Sequence, residues 1–175
     1  MKVDGKAMRS VWVEPDGWAV GIVDQTLFPH RFETLRLTTM EDAAHAIGTE
    51  YRGRRIGGLG NLTAFSFYAT KNITSGGEGG AITFQEPHME RRYRMLRGQG
   101  MDPDRRYYFP IIGFNYRMTD IQASIGLVQL RRLPELLAIR RAKAARYNAE
   151  LPKIRGLEIP YVPPYAEHTY QSYCL

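Results

Sequence analysis

The sequence predicts an α/β fold on three observations. β-Branched and aromatic runs lie on both sides of Pro15-Asp16-Gly17, two apolar runs flank a glycine cluster between residues 62 and 84, and apolar residues recur at helical spacing from Ile121 to Leu130. Residues 9–37 read as strands, with "RSVWVEPDGWAVGIVD" as a hairpin, and "RFETLRLTT" alternates apolar and polar as a further strand. In "TTMEDAAHAI", Thr39 stands three residues before Asp42, the spacing of a capping box, ahead of an alanine-rich stretch. Local signals there predict a helix that starts at Thr39. Residues 51–60 are rich in Arg and Gly, as in an exposed turn or loop, and "LTAFSFYA" and "EGGAITF" then read as strands. A charged helix follows over residues 86–98, with Pro87 tolerable in its first turn and Gly98 available beyond its end. Within "MTDIQASIGLVQLRRLPELLAIRRAKAARYNAEL" the spacing predicts helix, and Pro134 is expected to divide it into two. The tail "IPYVPPYAEHTYQSYCL" is broken by prolines and ends in a strand-like run, where Cys174 is expected as a small apolar residue.

With 175 residues, 43% of them hydrophobic and 24% charged, the chain can bury a core, as one domain or as a domain with an added piece. The formal charge of +6 comes largely from "MERRYRMLR" and "RRAKAAR", which read as solvated helix faces. They carry no recognised nucleic-acid motif, so no nucleic-acid partner is expected. One cysteine rules out an internal disulfide framework or a cysteine-based zinc site and suggests a reducing cytoplasm. No apolar run has membrane-spanning length, and "MKVDGKAMRSVWVEPDG" lacks the apolar core of a signal peptide, so neither membrane nor secretion is expected.

"SFYATKNITSGGEGG" sets a single lysine, Lys71, between a hydroxyl-aromatic run and a glycine cluster. A lysine amine can attack a carbonyl when its site desolvates it. Ser66, five residues earlier, can donate its hydroxyl to a phosphate, and Asp42 upstream can pair with a ring nitrogen. An amine for an aldehyde, an anchor for a phosphate and a partner for a pyridinium are together what pyridoxal 5'-phosphate (PLP) asks of a protein. The competing reading is a solvated lysine in a glycine-rich hairpin loop.

"EDAAHAIGTEYRGRRIGGLGNLTAFSFYATKNITSGGEGGAITF", "LRGQGMD", "IIGFNYRMTDIQASIGLVQLRRL" and "RRAKAARYNAEL" occur in order, and from about Glu41 onward the chain resembles the DegT/StrS-type sugar aminotransferases. The resemblance implies an incomplete large domain of PLP fold type I, the aspartate-aminotransferase-like fold, over residues 41–155. The start of a small C-terminal domain would fill 156–175, and a small β-rich segment would occupy 1–40. It implies that Lys71 carries the cofactor as a Schiff base and moves the proton in transamination, and that Ser66 binds the cofactor phosphate. Asp42 would pair with the pyridine nitrogen, and His45 would stand near the ring hydroxyl. Asn115 in "GFNYRMTD" would reach the cofactor phosphate of a neighbouring subunit, and Arg117 would face the substrate. The implied reaction moves an amino group, commonly from glutamate, to a nucleotide-linked keto-sugar, in a homodimer. A full member also carries an earlier phosphate-binding Gly-Thr segment, a ring-stacking aromatic residue and a small C-terminal domain, so activity would depend on parts beyond these motifs. Residue by residue, His45 reads equally as packing or capping, and Asn115 and Arg117 as loop contacts.

Residues 1–47 are similar instead to the start of methylthioribose-1-phosphate isomerase, whose small N-terminal domain opens with such strands and a helix. The two resemblances meet at "EDAAHAI" and conflict there: the isomerase description begins a helix at these residues, and in the aminotransferase description they follow a strand and Asp42 points at the cofactor. The chain therefore reads as a join between two families. Alternatives to aminotransferase function are an isomerase-related protein and a non-catalytic module that recruits a partner through exposed strand edges.

Overall fold

The computed structural model describes residues 40–175, together with the backbone of four short strands before them. Strands β1 (Lys2–Val3) and β2 (Lys6–Ala7) pair antiparallel, as do β3 (Val11–Val13) and β4 (Ala19–Gly21) in the register Trp12↔Val20. The strands predicted around Pro15-Asp16-Gly17 are thus paired. The turn itself, the "RFETLRLTT" strand and Thr39 lie outside the described residues.

The helix expected from Thr39 is not formed. Met40–Asp42 is strand β5, paired in parallel with β8 (Leu62–Ser66) in the register Met40↔Leu62, Glu41↔Thr63, Asp42↔Ala64. Turns follow it. Capping-box spacing is a local preference, and it yields where a strand partner satisfies the backbone and Glu41 and Ala43 are buried at 3% and 2% exposure. The segment accordingly follows the aminotransferase description and not the isomerase one.

Strand β9 (Gly80–Thr83) runs antiparallel on the other side of β8, giving the order β5-β8-β9. Gly80 permits this pairing at its tightest point, because a Cβ there would lie 2.5 Å from the Phe65 carbonyl oxygen. Both strands expected from "LTAFSFYA" and "EGGAITF" are present.

Residues 51–60 include the expected turn, set within a hairpin. β6 (Glu50–Tyr51) and β7 (Arg54–Arg55) form a hairpin, with Arg52 and Gly53 at φ 48° and 74° as a two-residue turn. Tyr51 and Ile56 are buried with Ala43 in one hydrophobic cluster. The tail adds β10 (Ala166–Glu167) to the outer side of β6. Residues 168–175, expected to be strand-like, are irregular, and Cys174 is exposed rather than packed in a strand. Side chains and carbonyls take up this segment: Thr169 bonds Thr49 and the His45 carbonyl, and Tyr173 donates to Asn148 at 2.6 Å.

Helix α1 (Glu90–Arg97) follows a single 3-10 turn at Pro87–Met89 and stops at Gly98, as its sequence predicts. Helix α2 runs unbroken from Asp120 to Glu150, through Pro134. Thr119 and Gln122 close a capping box at its start. Pro134 removes one interior hydrogen bond, at a cost of about 3 kcal/mol. Leu133 and Leu137, one turn apart around it, are buried against Ile73, and each burial contributes roughly 1.5–3 kcal/mol. Tertiary packing therefore outweighs the break that the sequence alone suggests.

Leu137→Ala should destabilise the chain by about 2–5 kcal/mol in urea unfolding. Leu130→Ala, on the exposed side of the same helix at 48% exposure, should stay within about 0.5 kcal/mol. Equal effects would mean that the Ile73 contact is not what holds α2 in place.

Candidate functional site

In an open sheet, ligands gather at the carboxyl ends of parallel strands. Here Asp42 ends β5, and Ser66 ends its parallel neighbour β8, two residues beyond the Asp42↔Ala64 pair. Asp42 is exposed, and its Oδ1 accepts the Ala44 N–H at 3.0 Å, an Asx turn that directs the chain away from the strand end. The Ser66 hydroxyl oxygen accepts the Tyr68 N–H at 3.3 Å, which leaves its own hydrogen to donate.

Lys71 sits on the loop that leaves β8. A tight turn closes at the Lys71 N–H, which donates to the Tyr68 carbonyl at 3.0 Å, and Gln171 Nε2 donates to the Thr70 carbonyl at 3.1 Å. Two residues later Ile73 is 2% exposed, wedged against Leu133 and Leu137. The far side of the loop is tied by the Ser75 N–H to the Phe67 carbonyl at 3.0 Å, and by Gln122 of the α2 capping box to the Glu78 carbonyl at 3.1 Å. The lysine is thus mounted on a loop anchored at both ends and in the middle, with an aliphatic plug beside it.

Lys71 Nζ lies 2.7 Å from His45 Nε2. An ammonium has only donors, so Nε2 accepts and the imidazole is neutral, with its hydrogen on Nδ1. The ring keeps an exposed edge, yet loss of water around it is the largest cause pushing the His45 pKa below its ordinary value; the Lys71 charge adds to this and Asp42 opposes it. These three groups form one electrostatic unit. The sequence motifs named all three, and the fold brings them together with Ser66 on one side of the β5–β8 pair.

Asn115 and Arg117 stand elsewhere. Asn115 bridges to Gly98 at the end of α1, and the intervening Tyr116 N–H donates to the Arg97 carbonyl at 2.9 Å. Both side chains are exposed, and among the described residues no hydrogen bond joins either to Lys71, His45 or Ser66. Within this chain they are therefore not gathered into the lysine cluster.

Sequence reading did not single out Asn72 or Gln171. A groove of about 520 Å3 between the lysine loop, α2 and the tail is lined by Lys71, Asn72, Arg140, Lys143, Tyr170 and Gln171, among others. Asn72 is 4% exposed, and among the described residues its Oδ1 has no hydrogen-bond partner. Its place directly after Lys71 is a usable signal in retrospect. Gln171, a hundred residues away in the chain, offers none.

Residues 33–175 match the model of the DegT/DnrJ/EryC1/StrS aminotransferase family. The chain belongs to that family. It is 48% identical over 138 residues to the GDP-perosamine synthase of Caulobacter vibrioides, covering 78% of this chain and 37% of that one. Among solved structures, S. venezuelae DesV superposes with a TM-score of 0.79 at 33% identity, covering 86% of this chain and 40% of that one. Spr1654 from Streptococcus pneumoniae, in a PLP form, superposes at 0.69 and 32% identity, over 78% of this chain and 36% of that one. The chain spans well under half the length of the relatives it matches. The fold is accordingly that of PLP fold type I, present in part. These relatives give the isomerase alternative no support, and the family match begins inside the segment assigned to it.

Family membership implies PLP as cofactor, and the donor set fits it: an amine held by a neutral imidazole, a carboxylate at one strand end, and a hydroxyl with a free hydrogen at the next.

His45 should titrate below the usual value of about 6.5 when followed by NMR of its ring protons. Lys71→Met should raise that pKa and Asp42→Asn should lower it further, since the first removes a like charge and the second an attractive one. Because the folded pKa is the lower one, unfolded chain takes up the proton first. The contribution of His45 to stability is present above about pH 6.5 and is lost as pH falls through the folded value. Shifts of the opposite sign in the two variants would break the three-group assignment.

Proposed function

We propose that this chain supplies the lysine-bearing part of a PLP-dependent aminotransferase site that moves an amino group, from glutamate, to a nucleotide-linked keto-sugar. The observation that carries the proposal is the Lys71–His45 contact of 2.7 Å beside two parallel strand ends bearing Asp42 and Ser66. The GDP-linked sugar in the name of the Caulobacter relative supports the substrate class.

When bound, PLP supplies an electron sink for the bond that breaks at the amino-bearing carbon. The protein's part is to hold and to move protons. Lys71 would hold the aldehyde group through its amine, after passing its extra proton to a base such as the His45 Nε2 in contact with it, and the freed amine would serve as general base and acid. His45 holds that amine in place by accepting from it, and would bond the ring hydroxyl. Asp42 would keep the ring nitrogen protonated, and Ser66 would donate to a phosphate oxygen.

Asn115 and Arg117 we assign to the neighbouring copy of a homodimer, Asn115 reaching the cofactor phosphate and Arg117 the substrate. Their loop supports this. Tyr107, Phe109, Ile112, Phe114 and Tyr116 are all exposed, a large apolar surface of the kind that marks association. The backbone beneath is nevertheless fixed: the Gln99 N–H donates to the Phe114 carbonyl, the Phe114 N–H donates to the Leu96 carbonyl of α1, and Arg91 is held by both Asp102 and Asp104. A cytoplasmic location rests on the single cysteine, and no helix among the described residues is long and apolar enough to cross a membrane. We keep residues 1–40, of which 1–32 lie outside the family match, as the β-rich segment resembling the isomerase start, supported by its two antiparallel strand pairs.

Incubation with PLP, borohydride reduction and peptide mapping test the proposal. Labelling should saturate near one per chain at Lys71 and vanish in Lys71→Ala. Ser66→Ala removes a hydrogen bond to a charged group, and half-maximal labelling should then need on the order of 10- to 100-fold more PLP. Labelling scattered over many lysines, unchanged by either substitution, overturns the assignment.

A further inference from the structure

Strand β5 carries two acids in succession, and the sheet treats them oppositely. Asp42 faces out, while Glu41 is buried at 3% exposure. Glu41 Oε1 accepts from Asn61 Nδ2 at 2.6 Å, and Oε2 accepts from the Thr63 hydroxyl at 2.8 Å. Thr63, its partner across the parallel ladder, is fully buried. No lysine, arginine or histidine forms an ion pair with Glu41 among the described residues. A buried carboxylate is costly, and an aliphatic residue would fill an interior strand position more cheaply.

The adjacency of the two acids suggests what the expense secures. Side chains alternate along a strand, so a slip of one residue would turn Asp42 inward and Glu41 outward. Because both are carboxylates, charge and polarity alone distinguish the two registers poorly. Length does: Asp is one methylene shorter than Glu, and only the longer side chain spans the two donors that Asn61 and Thr63 present.

We propose that Glu41 is a positioning residue, whose doubly held carboxylate selects the β5–β8 register that sets Asp42 beside His45 and Lys71. This rests on the role proposed for Asp42, and it extends that site into the interior of the sheet. Glu41 itself touches neither cofactor nor substrate.

The test uses the full chain and has a readout independent of PLP. Asp42 acts on the His45 ring, so any displacement of Asp42 moves the His45 titration. Glu41→Met should lower the His45 pKa by most of the fall seen in Asp42→Asn, whereas Glu41→Gln, which keeps length and one acceptor, should leave it near wild type. Thr63→Val and Asn61→Ala, each removing one donor, should give smaller falls in the same direction, and they serve if Glu41→Met does not fold. An unchanged His45 titration in folded Glu41→Met, or in both donor variants, overturns the proposal. In the PLP labelling assay, Glu41→Met should match Asp42→Asn in the PLP needed for half-maximal labelling at Lys71. If Lys71 is never labelled but the His45 shifts follow this pattern, the positioning role stands and the cofactor role of Asp42 falls.

Discussion

Parallel pairing of β5 with β8 is the constraint on which the site depends. It sets two strand ends of different chemistry side by side, a carboxylate on one and a hydroxyl on the other, and it lets the chain leave β8 directly into the lysine loop. Antiparallel pairing would put those ends on opposite edges of the sheet. Everything else in the site is a matter of holding that loop still. Ile73 plugs it into α2, Gln122 ties it to the start of the same helix, and Gln171 ties it to the tail. Three contacts from three separate parts of the sequence thus converge on a segment of some ten residues, and a loop held in this way can keep an amine at 2.7 Å from its imidazole partner.

Where the physics is local the sequence could be read directly. β8, β9 and α1 follow from apolar runs, the glycine cluster and helix punctuation, and Lys71, Ser66, Asp42 and His45 were recognisable because each lies in a short motif. The failures share one cause, which is stabilisation by residues far away in the chain. Met40–Asp42 carries the local signals of a helix start, but the partner that makes it a strand begins twenty residues later. Pro134 carries the signal of a helix end, but Ile73, sixty residues earlier, rewards continuity through Leu133 and Leu137. The Arg- and Gly-rich stretch 51–60 was legible as a turn or loop, yet the hairpin closed at Arg52-Gly53 needs the tail strand β10 and the buried Tyr51 to be worth forming. Glu41 and Asn72 were passed over for a related reason: an acid next to an acid, or an amide next to a lysine, says nothing of burial until the sheet is built.

The electrostatics of the cluster follow from the same geometry. Lys71 and Asp42 act on His45 in opposite directions, and desolvation adds its weight to the side of Lys71. The outcome is a neutral ring, and only a neutral ring can accept from an ammonium. Were Asp42 to dominate, the imidazole would be protonated and would repel the lysine it now holds. The carboxylate is therefore placed so that its pull on His45 stays the smallest of the three effects. Part of that placement comes from the Asx turn, which commits Oδ1 to the Ala44 N–H. The rest comes from strand register, and register here is decided inside the sheet, where a buried carboxylate and two donors leave β5 one way to lie against β8. A site whose reacting groups all sit at the surface of the fold is in this sense specified from its interior.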